Sequence, residues 1–316
     1  MLVTGVAGFI GSHTAEFLLK RGDRVIGIDD LNDFYPVCLK ENNLDILKSY
    51  NDFVFIRGDI VDYGVLANIF RKNAISHVAH LAARAGVRPS IQYPLIYERT
   101  NIGGTLNLLE LAKEHRLRNF VLTSSSSVYG SSREVPFRES DSATDRPISP
   151  YAATKKATEV LAYTYHHLYG INVNVVRPFT VYGPRGRPDM APWLFIEAAI
   201  KGTPIRKFGN GTSRRDYTYI ADFVCGFVSA LDRVYGYEIF NLGNSQTVQL
   251  NDALKIVSDI AGKKLHVVEE HSQPGDVEIT YADIAKAKDK LSYCPLTSFR
   301  DGMQLFFEWY NENIQQ

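Results

Sequence analysis

The sequence predicts an α/β protein with a Rossmann-type, doubly wound parallel sheet and a smaller C-terminal substrate-binding lobe, and three observations support this fold class. Short β-branched runs alternate with longer amphipathic segments through the first two-thirds of the chain. A glycine-rich turn, Gly5 to Gly11, joins the first such run to the first amphipathic segment. An acidic residue, Asp29, ends the second run. Apolar strands separated by helices are typical of a parallel sheet that helices cover on both faces.

The candidate elements follow from this alternation. The predicted strands are Leu2–Thr4, Arg24–Asp29, Phe53–Gly58, His77–Leu81, Asn119–Thr123 and Asn172–Arg177. The predicted helices have apolar residues at helical spacing, and they are Phe9–Lys20, Tyr63–Arg71, Gly104–Glu114 and Tyr151–Tyr169.

The pattern changes beyond about Thr180, where glycine- and proline-rich turns separate mixed segments. We therefore predict a dinucleotide-binding domain over residues 1–180 and a smaller, mainly substrate-binding lobe over residues 181–316. Phe240–Leu242 has the composition of a strand, so a segment near 238–242 is expected to return to the main sheet.

Charge and composition argue against several classes of partner. The 316 residues contain 35 Lys and Arg against 35 Asp and Glu, without a block of one sign. Neither nucleic acid nor an anionic membrane is therefore expected as the main partner. No run approaches ~18 apolar residues, and the sequence enters a strand at Leu2, so we expect neither a membrane span nor a signal peptide within these residues. The three cysteines are scattered, so we expect free thiols, no metal site and a cytoplasmic protein.

The glycine-rich turn predicts a dinucleotide site. Glycines there allow a tight turn and bring backbone N–H groups close to a pyrophosphate at the start of a helix. Asp29 lies where a carboxylate accepts hydrogen bonds from the adenosine ribose and repels a 2′-phosphate. Asp30 follows it and no arginine lies nearby in the sequence, so NAD is the expected cofactor rather than NADP.

A tyrosine and a lysine form the candidate catalytic pair. Among eighteen tyrosines, only Tyr151 has a lysine, Lys155, four residues later. This spacing places both side chains on one helix face, where the ammonium would favour the phenolate and make Tyr151 a base near neutral pH. Four serines, Ser124 to Ser127, follow the fifth strand at the sheet edge where ligands bind. The alternatives are an ordinary helix pair and a solvated serine loop.

These motifs resemble the extended short-chain dehydrogenase/reductase family, in its NAD-dependent epimerase and dehydratase branch. The Gly-x-x-Gly-x-x-Gly spacing from Gly5 and the Tyr151/Lys155 pair carry the resemblance, which covers nearly the whole chain. It implies that Ser125 shares a hydrogen bond with the reacting hydroxyl of the substrate. The motifs and the resemblance together imply these cofactor-binding residues: Gly5, Gly8, Phe9, Ile10, Gly11, Asp29, Asp30, Asn32, Asp59, Ile60, Leu81, Ala82, Ala83, Asn101, Ser124, Tyr151 and Lys155.

Two serines discriminate among the reactions of this family. The related dehydratases carry an Asp-Glu pair in the stretch that corresponds to Ser126 and Ser127, and the related decarboxylases carry a Glu there. Here both positions are hydroxyls, so no carboxylate is available to remove a C5 proton. Oxidation at C4 followed by return of the hydride remains, and this reaction is epimerisation.

Further segments resemble the nucleotide-sugar-binding parts of the family. The resemblance implies that Arg215 binds the UDP phosphates, that Phe208 lies against uracil and that Asp276 binds the uridine ribose. Val181–Ala191 resembles the branch that acts on UDP-glucuronate, and Arg185 is the expected partner of the C6 carboxylate. The expected substrate-binding residues are Arg88, Ser126, Ser127, Thr180, Arg185, Phe208, Arg215 and Asp276.

The expected activity is therefore interconversion of UDP-glucuronate and UDP-galacturonate through a 4-keto intermediate. The resemblance also implies a homodimer that pairs through a helix bundle. One alternative is a 4-epimerase for neutral substrates, UDP-glucose or UDP-N-acetylglucosamine. Another is a non-catalytic NAD-binding sensor of the same fold, against which the intact set of Ser125, Tyr151 and Lys155 argues.

Overall fold

The computed structural model describes residues 1–271 and 277–314. Its first part alternates strands and helices. The strands are β1 (Leu2–Thr4), β2 (Val25–Asp29), β3 (Phe53–Arg57), β4 (His77–His80), β5 (Asn119–Thr123) and β6 (Val173–Pro178). The helices are α1 (Phe9–Lys20), α2 (Val37–Lys48), α3 (Tyr63–Lys72), α4 (Val87–Gln92), α5 (Pro94–Tyr97), α6 (Gly104–His115) and α7 (Pro150–Tyr169).

The remainder mixes shorter strands with helices. The strands are β7 (Thr180–Tyr182), β8 (Ile205–Phe208), β9 (Arg214–Tyr219), β10 (Tyr237–Leu242), β11 (Thr247–Gln249) and β12 (Val267–Glu270). The helices are α8 (Ala191–Lys201), α9 (Ile220–Asp232), α10 (Leu250–Ala261), α11 (Ala285–Leu291) and α12 (Phe299–Asn313).

A seven-stranded parallel sheet organises the fold, in the order β10-β6-β5-β4-β1-β2-β3. The strand order reverses between β1 and β4, which places a crevice at their carboxyl ends. β10 lies at one edge, where Tyr237 pairs with Val173 of β6. Strands β1, β2, β4 and β5 are buried along their whole length because helices cover both faces. The predicted fold class is confirmed.

Local sequence signals explain how α7 carries the candidate catalytic pair. The Ser149 hydroxyl accepts a hydrogen bond from Ala152 N at 3.2 Å, and Pro150 occupies the first turn. At the other end Gly170 adopts a left-handed conformation that stops the helix. Tyr151 and Lys155 therefore lie in the first two turns, next to the carboxyl end of β5.

The second part packs around its own apolar cluster. β11, β9 and β7 form a three-stranded sheet, and β12 pairs with β8. The aromatic side chains of Trp193, Phe299, Phe306 and Tyr310 are buried among the helices beside these strands. Within residues 1–271 and 277–314, no helix is long and apolar enough to cross a membrane.

Candidate active site

A cavity of about 730 Å³ opens at the carboxyl ends of the central strands, between the main sheet and the second part. This volume lies within the usual range for ligand sites. Most of the predicted site residues line it. These are Gly5, Gly8, Phe9, Ile10, Gly11, Asp29, Asp30, Asn32, Asp59, Ile60, Leu81, Ala82, Ala83, Arg88, Ser124, Ser125, Ser126, Ser127, Tyr151, Lys155, Thr180 and Arg215.

Two positions of the glycine-rich turn, Gly5 and Gly11, leave no space for a side chain. A Cβ added to Gly11 would lie 2.0 Å from the Gly5 carbonyl oxygen, and one added to Gly5 would lie 2.8 Å from Ala82 N. Gly5 also has a φ of +68°, which favours glycine. The turn thereby brings its backbone and the start of α1 to the cavity wall. No described side chain caps the start of α1, so its backbone N–H groups can bind a pyrophosphate.

The buried carboxylate of Asp29 fits an adenosine ribose. One oxygen accepts a hydrogen bond from Ala7 N at 3.0 Å and the other from Leu31 N at 2.9 Å. Burial raises the pKa of Asp29, and the hydrogen bond from Leu31 opposes that rise. Each carboxylate oxygen can accept a second hydrogen bond, so two ribose hydroxyls could be bound from the cavity.

Two cations near this end of the cavity were not foreseen from the sequence. Lys40 is buried and donates to the Asn32 carbonyl at 2.7 Å, while Arg84 lies 3.4 Å from the Asn32 side-chain oxygen. Asn32 in turn donates to Asp30 at 2.6 Å. No arginine lies near this acidic pair in the sequence, but the chain after β4 brings Arg84 close to it in the fold, through Asn32.

The catalytic group is assembled at the end of β5. Burial raises the pKa of the Tyr151 phenol, and a hydrogen bond with Ser125 lowers it in part. The Ser125 oxygen also accepts from Ser127 N at 3.1 Å, which leaves its proton available to the phenol oxygen. Lys155 donates to the Thr123 carbonyl at 2.7 Å. Burial lowers the Lys155 pKa to about 8, and the Glu159 charge opposes this shift.

A cation that was not foreseen from the sequence also lies near Tyr151, in the same cavity as Lys155. Arg187 is the charge that lowers the Tyr151 pKa, alongside the Ser125 hydrogen bond. Its guanidinium lies 5.4 Å from the Phe34 ring and donates to Asp189 at 2.6 and 3.0 Å. Arg187 lines the cavity. Sequence reasoning passed over it, although it lies only two residues from Arg185.

Arg185 does not line the cavity, which corrects its expected placement. Its side chain is directed at α1, where Nη2 donates to Glu16 Oε2 at 2.5 Å. Arg185 has a φ of +61°, so the loop backbone reverses there and directs Arg185 and Arg187 to different neighbours. No sequence period could have assigned the two arginines, because the segment is neither helix nor strand.

Of the three remaining predicted residues, two do not line the cavity and one is not among the described residues. Asn101 is buried in the main domain and bonds to the backbone of Arg84 and to Thr154, so its contact is structural. Phe208 is not part of the wall, but the Arg88 guanidinium lies 5.2 Å from its ring. Asp276 lies outside the described residues. No group of three or more metal-ligating side chains occurs in the parts of the chain that the structure describes.

Below the serine loop lies a buried ion pair that the sequence did not reveal. Ser124 donates to Glu159 at 2.5 Å, and Arg177 bonds both oxygens of that carboxylate at 2.8 and 2.7 Å. Arg177 also donates to the Tyr129 hydroxyl at 2.9 Å. Each charged side chain is 1 % exposed. Through Ser124, this network holds in place the loop that carries Ser125.

The glycine turn, the buried ribose-binding acid and the Ser125/Tyr151/Lys155 group define a dinucleotide-dependent enzyme of the short-chain dehydrogenase/reductase class. The chain belongs to the family described as GDP-mannose 4,6 dehydratase, whose family model matches residues 2–306. The family membership predicted from the motifs is thereby confirmed.

Individual relatives match over nearly the full length. A UDP-glucuronate 4-epimerase of Thermodesulfobacterium geofontis (strain OPF15) is 48 % identical over 315 residues, covering 99 % of this chain and 97 % of the relative. The UDP-glucuronic acid 4-epimerase of Bacillus cereus, crystallised with UDP-glucuronic acid and NAD, has a TM-score of 0.90 at 38 % identity, covering 98 % of each chain.

A relative of another specificity has an equally similar backbone. The UDP-glucose 4-epimerase of Thermotoga maritima, crystallised with UDP-glucose, has a TM-score of 0.90 at 32 % identity, covering 99 % of each chain. Backbone similarity therefore does not discriminate between acidic and neutral sugars.

Proposed function

We propose that this protein is an NAD-dependent isomerase that interconverts UDP-glucuronate and UDP-galacturonate by epimerisation at C4. The observation that carries the proposal is the pair of hydroxyls, Ser126 and Ser127, beside an intact Ser125/Tyr151 pair in one cavity. A dehydratase needs an acid or base at C5, and this stretch offers none. The 48 % identical UDP-glucuronate 4-epimerase supports the same activity and the same class of substrate.

In the proposed mechanism, the protein's own residues move the proton of the C4 hydroxyl. Tyr151 accepts the proton of the C4 hydroxyl, and Ser125 holds both oxygens in place through a shared hydrogen bond. Lys155 keeps positive charge in the buried site, where it stabilises the phenolate form as the proton moves. When bound, NAD would supply a hydride acceptor and donor at C4 of the sugar. The glycine turn and Asp29 are the residues that would hold it.

Selectivity for the C6 carboxylate is assigned to Arg187 in place of Arg185. Arg187 lines the cavity, and its charge acts on Tyr151, so it lies near the sugar-binding end. Ser126, Ser127 and Thr180 line the same region and can donate hydrogen bonds to a carboxylate. Charge-assisted hydrogen bonds of this kind are about twice as strong as neutral ones.

The UDP moiety is assigned to the second part of the chain. Arg215 lines the cavity and would bind the diphosphate, while Arg88 approaches the ring of Phe208. A uracil ring can stack on such an arginine and aromatic pair. Tight binding of UDP with looser binding of the sugar would let the 4-keto ring turn over between hydride transfers.

We also infer a homodimer, formed by the outer faces of α6 and α7 with those of a second copy. Tyr165 of α7 donates to Glu110 of α6, which joins the two helices into one surface. Large apolar side chains are exposed on it, including Leu106 at 37 %, Val160 at 54 % and Tyr163 at 52 %. Two helices from each copy would form a four-helix bundle that covers these side chains.

The proposed activity is tested by assaying three sugars with the purified protein. UDP-glucuronate should give UDP-galacturonate without added cofactor, and the denatured protein should release NAD. UDP-glucose and UDP-N-acetylglucosamine should react at least ~10-fold more slowly, the usual scale of one lost charge-assisted contact. Preference for a neutral sugar would contradict the substrate assignment. Absence of turnover on all three sugars, with NAD bound, would instead support the sensor alternative.

A further inference from the structure

Arg185 joins the loop beside the cavity to the helix that begins at the dinucleotide turn. Its Nη2 lies 2.5 Å from Glu16 Oε2 and 2.7 Å from His13 Nδ1, and both partners belong to α1. The side chain of Arg185 is 8 % exposed and that of Glu16 is 17 % exposed. A charge-assisted contact that is this well shielded from water is stronger than a surface ion pair.

His13 completes the contact in its neutral form. Its Nε2 lies 2.9 Å from the Pro184 carbonyl oxygen, which can only accept, and 3.1 Å from Arg185 Nε, which can only donate. Nδ1 faces only the Arg185 Nη2 donor, at 2.7 Å, so in the neutral ring the proton is placed on Nε2, toward Pro184. Nδ1 is then an acceptor for Arg185. Burial and the Arg185 charge lower the His13 pKa to about 3, so this arrangement persists at neutral pH. We call Arg185, Glu16 and His13 the clasp.

The loop backbone adopts an unfavourable, left-handed conformation at Arg185. Arg185 has a φ of +61°, in the left-handed region that a non-glycine residue adopts at a cost. In the described part of the chain its buried Nη1 has no hydrogen-bond partner. Residues held in this way are over-represented where a neighbouring group must be placed accurately. The neighbouring group here is Arg187, two residues further along the same loop and on the cavity wall.

We propose that the clasp sets the position of Arg187 opposite Tyr151, so that Arg185 acts as a positioning residue for the acidic sugar and does not contact it. The inference rests on the proposed function for its substrate. Releasing the loop would let Arg187 withdraw from the sugar-binding end of the cavity. The UDP-binding part lies on other elements and would be unaffected, so affinity for the sugar and affinity for UDP should separate.

Four variants and three measurements test the clasp. Glu16→Gln leaves the loop sequence intact, whereas Arg185→Gly removes the guanidinium while permitting the left-handed backbone. Each should raise KM for UDP-glucuronate about tenfold, the scale of one charge-assisted hydrogen bond, with the inhibition constant of UDP unchanged. The double variant Glu16→Gln/Arg185→Gly should lose no more than either change alone, because both remove the same contact.

Lys20→Met is the matched control. Lys20 binds the other oxygen of the Glu16 carboxylate at 2.7 Å, but it is 62 % exposed and, among the described residues, forms an ion pair with Glu16 and none with the loop. This variant should keep the wild-type KM. If Lys20→Met raises KM as much as Glu16→Gln does, the effect arises from general weakening of α1 and the proposal is overturned.

Limited proteolysis gives a readout that does not depend on turnover. Trypsin cleaves after arginine, and in wild type the buried Arg185 should resist cleavage before Gly186. Glu16→Gln should speed that cleavage at least ~10-fold relative to Lys20→Met, while Pro188 protects the bond after Arg187. A chain that lacks epimerase activity would contradict the proposed function and leave this readout intact. The proposal would be overturned if Glu16→Gln is cleaved at the same rate as Lys20→Met and keeps the wild-type KM. It would also be overturned if Arg185→Gly raises KM and Glu16→Gln does not.

Discussion

At the residue scale, the proposed reaction depends on one phenol whose environment works against its ionisation. Burial raises the Tyr151 pKa, and the Ser125 hydrogen bond and the Arg187 charge offset only part of that rise. Tyr151→Phe removes the proton acceptor and keeps the ring. We expect at least ~10²-fold loss of kcat, the usual scale for general acid–base catalysis. NAD content measured on the denatured variant should equal that of wild type. Near-normal epimerisation by Tyr151→Phe would contradict the mechanism.

The buried ammonium of Lys155 predicts a pH dependence with opposite signs for activity and stability. Burial lowers its pKa from the ordinary 10.5 to about 8, so the cation is lost as pH rises through 8. kcat/KM should therefore fall above pH ~8. The unfolded chain binds this proton up to a higher pH, so the same group makes the free energy of unfolding increase between about pH 8 and 10.5.

Activity and denaturant unfolding measured across this range separate the two effects. Lys155→Arg keeps a charge at every accessible pH and should remove the alkaline decline, even at lower absolute activity. A decline of the same midpoint in Lys155→Arg would assign it to another group.

At the element scale, the positions of Tyr151 and Lys155 depend on the stability of the first turns of α7. The Ser149 cap accepts a hydrogen bond from Ala152 N at 3.2 Å, next to Tyr151 and about one turn before Lys155. Ser149→Ala should lower the free energy of unfolding by about 1 kcal/mol. It should also reduce kcat, because fraying of the first turn displaces Tyr151. Ser149→Asp keeps the cap and should restore stability in urea unfolding. If Ser149→Ala is destabilised with full activity, the cap serves the fold alone.

The secondary-structure elements also show which parts of the structure can be predicted from the sequence. The bounds of α1 were predicted as Phe9–Lys20 and are observed there, because amphipathic periodicity and flanking glycines mark both ends. The loop containing Arg185 and Arg187 has no period, and its backbone reverses at Arg185. Lys40 lies on α2 and Arg84 on the loop after β4, and the two residues meet Asn32 only through folding. Site residues within a recognisable motif after a strand were therefore predictable, including those on short loops, while Lys40, Arg84 and Arg187 belong to no such motif.

At the scale of the whole molecule, the buried pair of Glu159 and Arg177 illustrates a second limit of sequence reasoning. Neither residue differs in type from a surface charge, yet each is 1 % exposed and bound to the other. Only the packing of α7 on β6 reveals that the pair supports the serine loop through Ser124. Patterns local in sequence identify the dinucleotide half, whereas the sugar-binding half is assembled from distant segments.

The inferred dimer is testable at this same scale, because its surface is made only when α6 and α7 lie side by side. Leu106 and Val160 are 37 % and 54 % exposed, and placing a charge at both should prevent a second copy from covering them. In sedimentation velocity, wild type should therefore have twice the 35.5 kDa chain mass, and Leu106→Glu/Val160→Glu should have the mass of one chain. Leu296→Glu is the matched control, since Leu296 is 82 % exposed and lies on neither helix, so this variant should stay dimeric. A single-chain mass for wild type at micromolar concentration would contradict the homodimer, and a dimeric double variant would move the interface to another face.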